Sequence, residues 1–253
     1  MTAPHPDPAL LLGEAQGTWA QIVRLSDAPE DLESARSALH SVAEQVVSPA
    51  RQRATGNEIA LRWYPGGFGT PPFADDHGSR VVRVDGVELV DACDGAERRV
   101  ELTSLRATGK LVGDLVDTHL LPDDPLALQL SAARFLGEWF CFGTLAIATL
   151  RVSAADEFEP GWVQLWPEHF DVATELGSEE GGQRAAYGAS PGDDEHPEPY
   201  LYVAPWTARP EGELWNATAF AGAEMPYREL LAARDPEGAA AEFFDSRLSA
   251  LNK

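Results

Sequence analysis

Residues 80–102, RVVRVDGVELVDACDGAERRVEL, place Asp85-Gly86 and Asp94-Gly95 between runs of strand-forming residues. Asp-Gly closes a two-residue hairpin because both central positions take positive φ, which Gly and Asp tolerate. Two such signals in one short stretch predict an antiparallel meander over about 80–102. They exclude an all-helical chain.

The segments around the meander read as follows. Leu32, Ala35, Leu39, Val42 and Val46 recur at steps of three and four, which predicts a helix over 28–47, with Asp27 as its cap and Pro29 in its first turn. Residues 58–64, EIALRWY, alternate as a half-buried strand does, and PGGFGTPPF breaks the pattern. A second helix is expected after Thr103-Ser104, with Leu105, Val112, Leu115, Val116 and His119 on one side. Asp124-Pro125 is expected to start a long apolar helix that runs to about residue 150. Strands are expected at 161–166, 184–189, 199–205 and 213–220. Asp235 caps a closing helix whose apolar stripe is Ala240, Phe243, Phe244, Leu248 and Leu251. This order lacks the strand–helix alternation of a parallel sheet. The expected class is therefore α+β, mainly antiparallel sheet packed against long helices. One compact domain is expected over 17–253, preceded by a flexible Pro-rich segment, residues 1–16.

Charge narrows the function classes. The net charge is −22, and 153–200 holds 12 Asp and Glu against a single Arg, Arg184. Nucleic acid and anionic membrane surfaces are thereby excluded as partners. The segment reads as a solvated acidic face, or as a surface for cationic groups or a basic protein. The apolar run 139–150 has 12 residues, too few to span a bilayer. The N-terminus lacks the basic start of a signal peptide. Cys93 and Cys141 form no ligand pattern. A cytoplasmic protein is expected, and nothing in the chain specifies a cofactor or an oligomeric state.

Two arrangements carry chemistry. LWPEHFD at 165–171 would put His169 and Asp171 on one face if it were a single strand. His196 would then complete a 2-His-1-carboxylate metal set of the kind that binds non-haem iron, with Asp193, Asp194 and Glu195 as further candidates. Against this, Asp171 and His196 lie close in sequence, and no flanking Arg or Lys stands ready to hold a 2-oxo acid. The plainer reading makes His169 a half-exposed or hydrogen-bonded side chain and Asp171 a cap. The second arrangement is aromatic. Trp162, Trp166, Tyr187, Tyr200, Tyr202, Trp206 and Trp215 crowd one acidic region. Some are core. Trp166, Tyr200, Tyr202 and Trp206 are the candidates to line a cleft for a cationic or polyhydroxyl small molecule. The cleft is expected between the second set of strands and the long helix. Gly188-Ala189-Ser190-Pro191-Gly192 matches the serine nucleophile elbow only in letters, because Pro191 has no N–H for an oxyanion hole. Gly66-Gly67-Phe68-Gly69 leads into no helix and reads as a loop.

Phe170-Asp171, the strand Tyr200 to Pro205, Met225-Pro226-Tyr227 and the closing segment from Asp235 to Phe244 follow one another here. Together they resemble a family of uncharacterised bacterial proteins defined only as a domain of unknown function. That family has a Phe-Asp after an aromatic run, a YxYxxP strand, an LPY segment and a DPxxALxEF helix. The resemblance covers about the last 90 residues well and implies no activity. His169 stands where the family's pattern has a small residue.

Overall fold

The computed structural model describes residues 24–57, 60–154, 158–207 and 210–252. The segment expected to be flexible, 1–16, and the start of the strand expected at 58–64 lie outside the described residues. The chain has an α+β architecture with two antiparallel sheets. By its contacts it divides into two units. One comprises Ala28–Cys141 and Leu165–Phe170; the other comprises Phe142–Gln164, Asp171 onward and residues 24–27.

The first unit opens with α1 (Leu32–Val42), a widened turn (Ala43–Val47) and α2 (Ser48–Thr55). Asp27 does not cap α1. Asp31 stands at the cap position without a side-chain bond, and the Leu32 N–H donates to the Pro29 carbonyl at 3.2 Å. In the widened turn Ser48 N–H reaches back five residues to the Ala43 carbonyl. The ladder thus shifts directly before Pro49, which has no N–H to give it.

Six strands follow: β1 (Arg62–Tyr64), β2 (Gly67–Gly69), β3 (Phe73–Asp75), β4 (Gly78–Asp85), β5 (Glu88–Cys93) and β6 (Ala96–Glu101). Their order is β1-β2-β4-β5-β6, with β3 also on β4. The meander stands as expected, but its turns differ. Cys93 pairs with Ala96, so Asp94 (φ 46°) and Gly95 (φ 84°) are both left-handed. Asp85 pairs with Glu88, so the first loop is Gly86-Val87, with Gly86 alone at positive φ (61°). The early strand is shorter than expected because Ala60 turns at φ 84° and Leu61 makes only an isolated bridge, to Leu165 of β7 (Gln164–Trp166).

The second expected helix is also shorter. α3 (Leu105–Gly109) is capped by Ser104, whose Oγ accepts the Ala107 N–H at 3.1 Å, then tightens over Lys110–Leu115 and breaks at Gly113. Asp124-Pro125 starts no helix. The Leu126 N–H is taken by the Thr103 carbonyl at 2.9 Å, and α4 runs Leu130–Ser153. Its 24 residues exceed the 12-residue apolar run and suffice by length and composition to cross a membrane. Of its most apolar window, 67% is buried in the fold, as in a core helix. Within the first unit Phe68, Phe140 and Phe170 meet edge to face with centroids 5.1–6.2 Å apart, and His40 stacks on Phe170 at 5.2 Å.

The second unit holds β8 (Asp171–Leu176), β9 (Ala185–Ser190), β10 (Tyr200–Pro205) and β11 (Ala223–Pro226), with α5 (Tyr227–Ala232) and α6 (Pro236–Leu251). β8 is buried at five of six positions and so shows no alternation. Residues 213–220 form no strand. The side chain of Asn216 instead takes both backbone groups of Glu224, at 3.0 Å each, and β11 begins at 223. α6 forms where expected, with the Gly238 N–H on the Asp235 carboxylate at 3.0 Å and Ala240, Phe243, Phe244 and Leu248 buried, while Leu251, the last of the expected stripe, is half-buried.

Register gives this sheet two characters. Val172, Thr174, Ala185, Tyr187, Ala189, Leu201 and Val203 share the apolar face. α4 sits hard against it: a β-carbon at Gly143 would lie 2.5 Å from that of Ala189. Tyr187 meets Phe244 of α6 edge to face at 6.2 Å. The opposite face carries Asp171, Glu175, Gly188, Ser190, Tyr200, Tyr202 and Glu224.

Candidate functional site: a tyrosine–carboxylate face

The polar face is assembled from strand pleat and one loop. Tyr202 pairs with Gly188, and its ring lies where a side chain at 188 would begin. Its hydroxyl donates a hydrogen bond to Asp171 at the head of β8. Tyr200, two residues back on the same face, donates to Asp193 Oδ2 at 2.7 Å. Asp193 lies in the loop after β9. Its Oδ1 accepts the backbone N–H groups of Glu195 and His196, both at 2.8 Å, and meets His196 Nδ1 at 3.0 Å. His196 Nε2 faces Glu224 Oε2 of β11, also at 3.0 Å. The Tyr200 ring lies 4.3 Å from the imidazole. Ser190-Pro191-Gly192 forms the turn that launches the loop: Ser190 Oγ accepts the Gly192 N–H at 3.2 Å, and Gly192 has φ 99°.

The protonation states follow from these contacts. Burial, reinforced by Asp171, holds the Tyr202 hydroxyl well above the usual phenol range, and burial with Asp193 does the same for Tyr200. Both are donors and not bases. Burial alone would raise Asp193, but the bonds from Tyr200, His196 and two backbone N–H groups outweigh it and hold the carboxyl below its ordinary value. Burial would lower His196, but its bond to Asp193 and the charges of Asp193 and Glu224 hold it above the usual imidazole value.

The predicted residues fall into two groups. Asp171, His196, Tyr200 and Tyr202 belong to this face. Trp206 lies at the end of β10, 47% exposed, and stacks on the Arg184 guanidinium at 5.2 Å. Trp166 is half-buried in the first unit. His169 is exposed in a tight turn closed by the Phe170 N–H on the Trp166 carbonyl at 2.7 Å. Phe170 has φ 54°, so 165–171 is no single strand and the shared face of His169 and Asp171 does not follow. Among the described residues no group of three or more His, Cys, Asp or Glu side chains is arranged to hold a metal ion. Both ring nitrogens of His196 are already turned to carboxylates. The cleft expected between sheet and long helix is filled, because α4 packs on the apolar face while the tyrosines occupy the other. Sequence reasoning named Asp193 but missed Glu224 altogether; nothing in the spacing of Glu224 marks it.

No protein-family profile, curated protein or solved structure matches the chain. The first unit has a concavity of about 360 Å³ lined by Asp75, His77, Arg80, Arg98 and Asp114. Its Arg80 is consumed by Asp91 at 2.6 and 2.8 Å and by Asp75 at 2.9 Å.

Proposed function

We propose that the polar face of the second unit's sheet binds a small cationic molecule, an amine or a guanidinium compound, in a cytoplasmic protein. The observation that carries the reading is charge imbalance on an aromatic surface. Among the described residues, Asp171, Glu175, Asp193 and Glu224 share the face with two cationic side chains, His196 and Arg184. The side chains of Asp193 and Glu175 are 44% and 34% exposed, so solvent-borne cations reach them. Carboxylates beside aromatic rings are a general means of holding a desolvated cation. The phenols remain protonated, which favours binding over proton abstraction. Two free cysteines and a largely buried α4 support the cytoplasm. The resemblance to the uncharacterised bacterial family fits this reading and adds no activity to it.

Calorimetry of the full chain at low salt with putrescine, choline and free arginine tests the proposal. Saturable binding of at least one of them, weakened about tenfold or more by Glu224→Gln, is expected. No saturable heat from any of the three, or equal affinity in Glu224→Gln and Asp193→Asn, would overturn it.

A further inference from the structure

We propose that His196 is a proton-operated latch that fastens loop 191–199 to strand β11. The argument is one of donors and acceptors. Nδ1 lies 3.0 Å from Asp193 Oδ1, and Nε2 lies 3.0 Å from Glu224 Oε2. Ionised carboxylates only accept. A neutral imidazole donates from one nitrogen and presents a lone pair at the other. The doubly bridged geometry is therefore satisfied only by the imidazolium, which donates from both. Among the described residues the groups facing the ring are Asp193 from the loop, Glu224 from β11 and Tyr200 from β10. Tyr200 gives its proton to Asp193 and does not compete for His196.

The two contacts are not equivalent. Asp193 is bound to His196 within one short loop and is steadied by Tyr200 and by two backbone N–H groups. That contact survives deprotonation, with the remaining proton on Nδ1. The lone pair is then left on Nε2, opposite the Glu224 carboxylate. The latch opens at β11 while the loop keeps its internal turn. The folded-state value of His196 lies above its ordinary 6.5. The latch's contribution is thus complete below 6.5 and is lost as pH rises through the folded value. The device shares Asp193 and Glu224 with the proposed cation site but needs only this chain's own side chains, and its test adds no cation, so failure of the cation-binding reading leaves it standing.

The test is NMR of the full chain with labelled histidine ring nitrogens, read from about pH 5 to pH 9, beside amide exchange of residues 191–199. The wild type is expected to titrate above 6.5 and to pass from imidazolium to the Nδ1–H tautomer. Across the same interval loop exchange should rise about tenfold beyond the intrinsic effect of base. In Glu224→Gln the amide can donate to a neutral Nε2, so the midpoint should fall toward 6.5 and the exchange step should vanish. His196→Gln should show no step at any pH. A wild-type midpoint at or below 6.5, an Nε2–H tautomer after deprotonation, or a step that persists in Glu224→Gln would each overturn the latch.

Discussion

Gly188 and Tyr202 are direct partners across β9 and β10, and the phenol ring rests on the glycine at the point where a side chain would start. A β-carbon at 188 would lie 2.3 Å from Tyr202 Cε1 and 2.5 Å from its hydroxyl oxygen. Gly188→Ala must therefore push the ring away from Asp171. Overpacking and a broken buried hydrogen bond together cost about 2–4 kcal/mol. Urea unfolding of Gly188→Ala, Tyr202→Ala and the double variant measures it. The expected result is strong coupling, with little further loss on adding Gly188→Ala to Tyr202→Ala. Simple additivity would show that the glycine serves something other than the ring.

Gly143 makes the same demand on the apolar face. At an open helix position Gly→Ala gains about 1 kcal/mol. Here the new carbon would lie 2.5 Å from Ala189 Cβ, so Gly143→Ala should lose about 1–3 kcal/mol. Ala189→Gly in the same chain should return most of that loss. Denaturant midpoints of the three variants decide, and a gain in Gly143→Ala alone would show that α4 and β9 part easily.

In the first unit Asp91, 2% exposed, is gripped by Arg80 and Arg98. Asp91→Ala takes two of its three carboxylate hydrogen bonds from the buried Arg80 guanidinium, leaving it Asp75 alone, and should cost about 3–5 kcal/mol. High salt should change that cost little, because buried pairs are poorly screened. Arg99→Ala, from the exposed pairs with Asp85, Glu88 and Glu97, should cost far less, and less still in salt. Thermal unfolding at two salt concentrations separates the two behaviours.

The cysteines differ in reach. Burial pushes the Cys141 thiol up to about 12, while Cys93 is half-buried with its Sγ toward the His77 carbonyl at 3.4 Å. A disulfide-exchange reagent at mildly alkaline pH should titrate one thiol of the folded protein, and both cysteines once denatured. Rapid reaction of both in the native state would contradict the packing of α4.

What can be read from the chain divides along the range of the interaction. Asp94-Gly95 and Asp235-Pro236 are legible because each states a backbone requirement met within a few residues. The start of α4 is not, since the bond that keeps Leu126 out of the helix comes from Thr103. β8 hides because both of its faces are buried, which erases alternation. The face itself is half legible. Tyr200 and Tyr202 announce themselves by spacing and His196 by its rarity. Glu224 is one acid among 41 until the chain folds back and sets it opposite the imidazole.

The charged ladder on the meander has a consequence beyond stability. β6 ends the strand order of the first sheet, and its sequence is AERRVE, exposed at five of six positions. An unguarded edge of that kind invites another chain to add a strand, which is how aggregation begins. A newcomer here would meet Glu97, Arg98, Arg99 and Glu101, and would have to part Arg99 from Asp85, Glu88 and Glu97. At the other end β1 offers only three residues. Growth of the sheet is blocked at one side by charge and at the other by brevity.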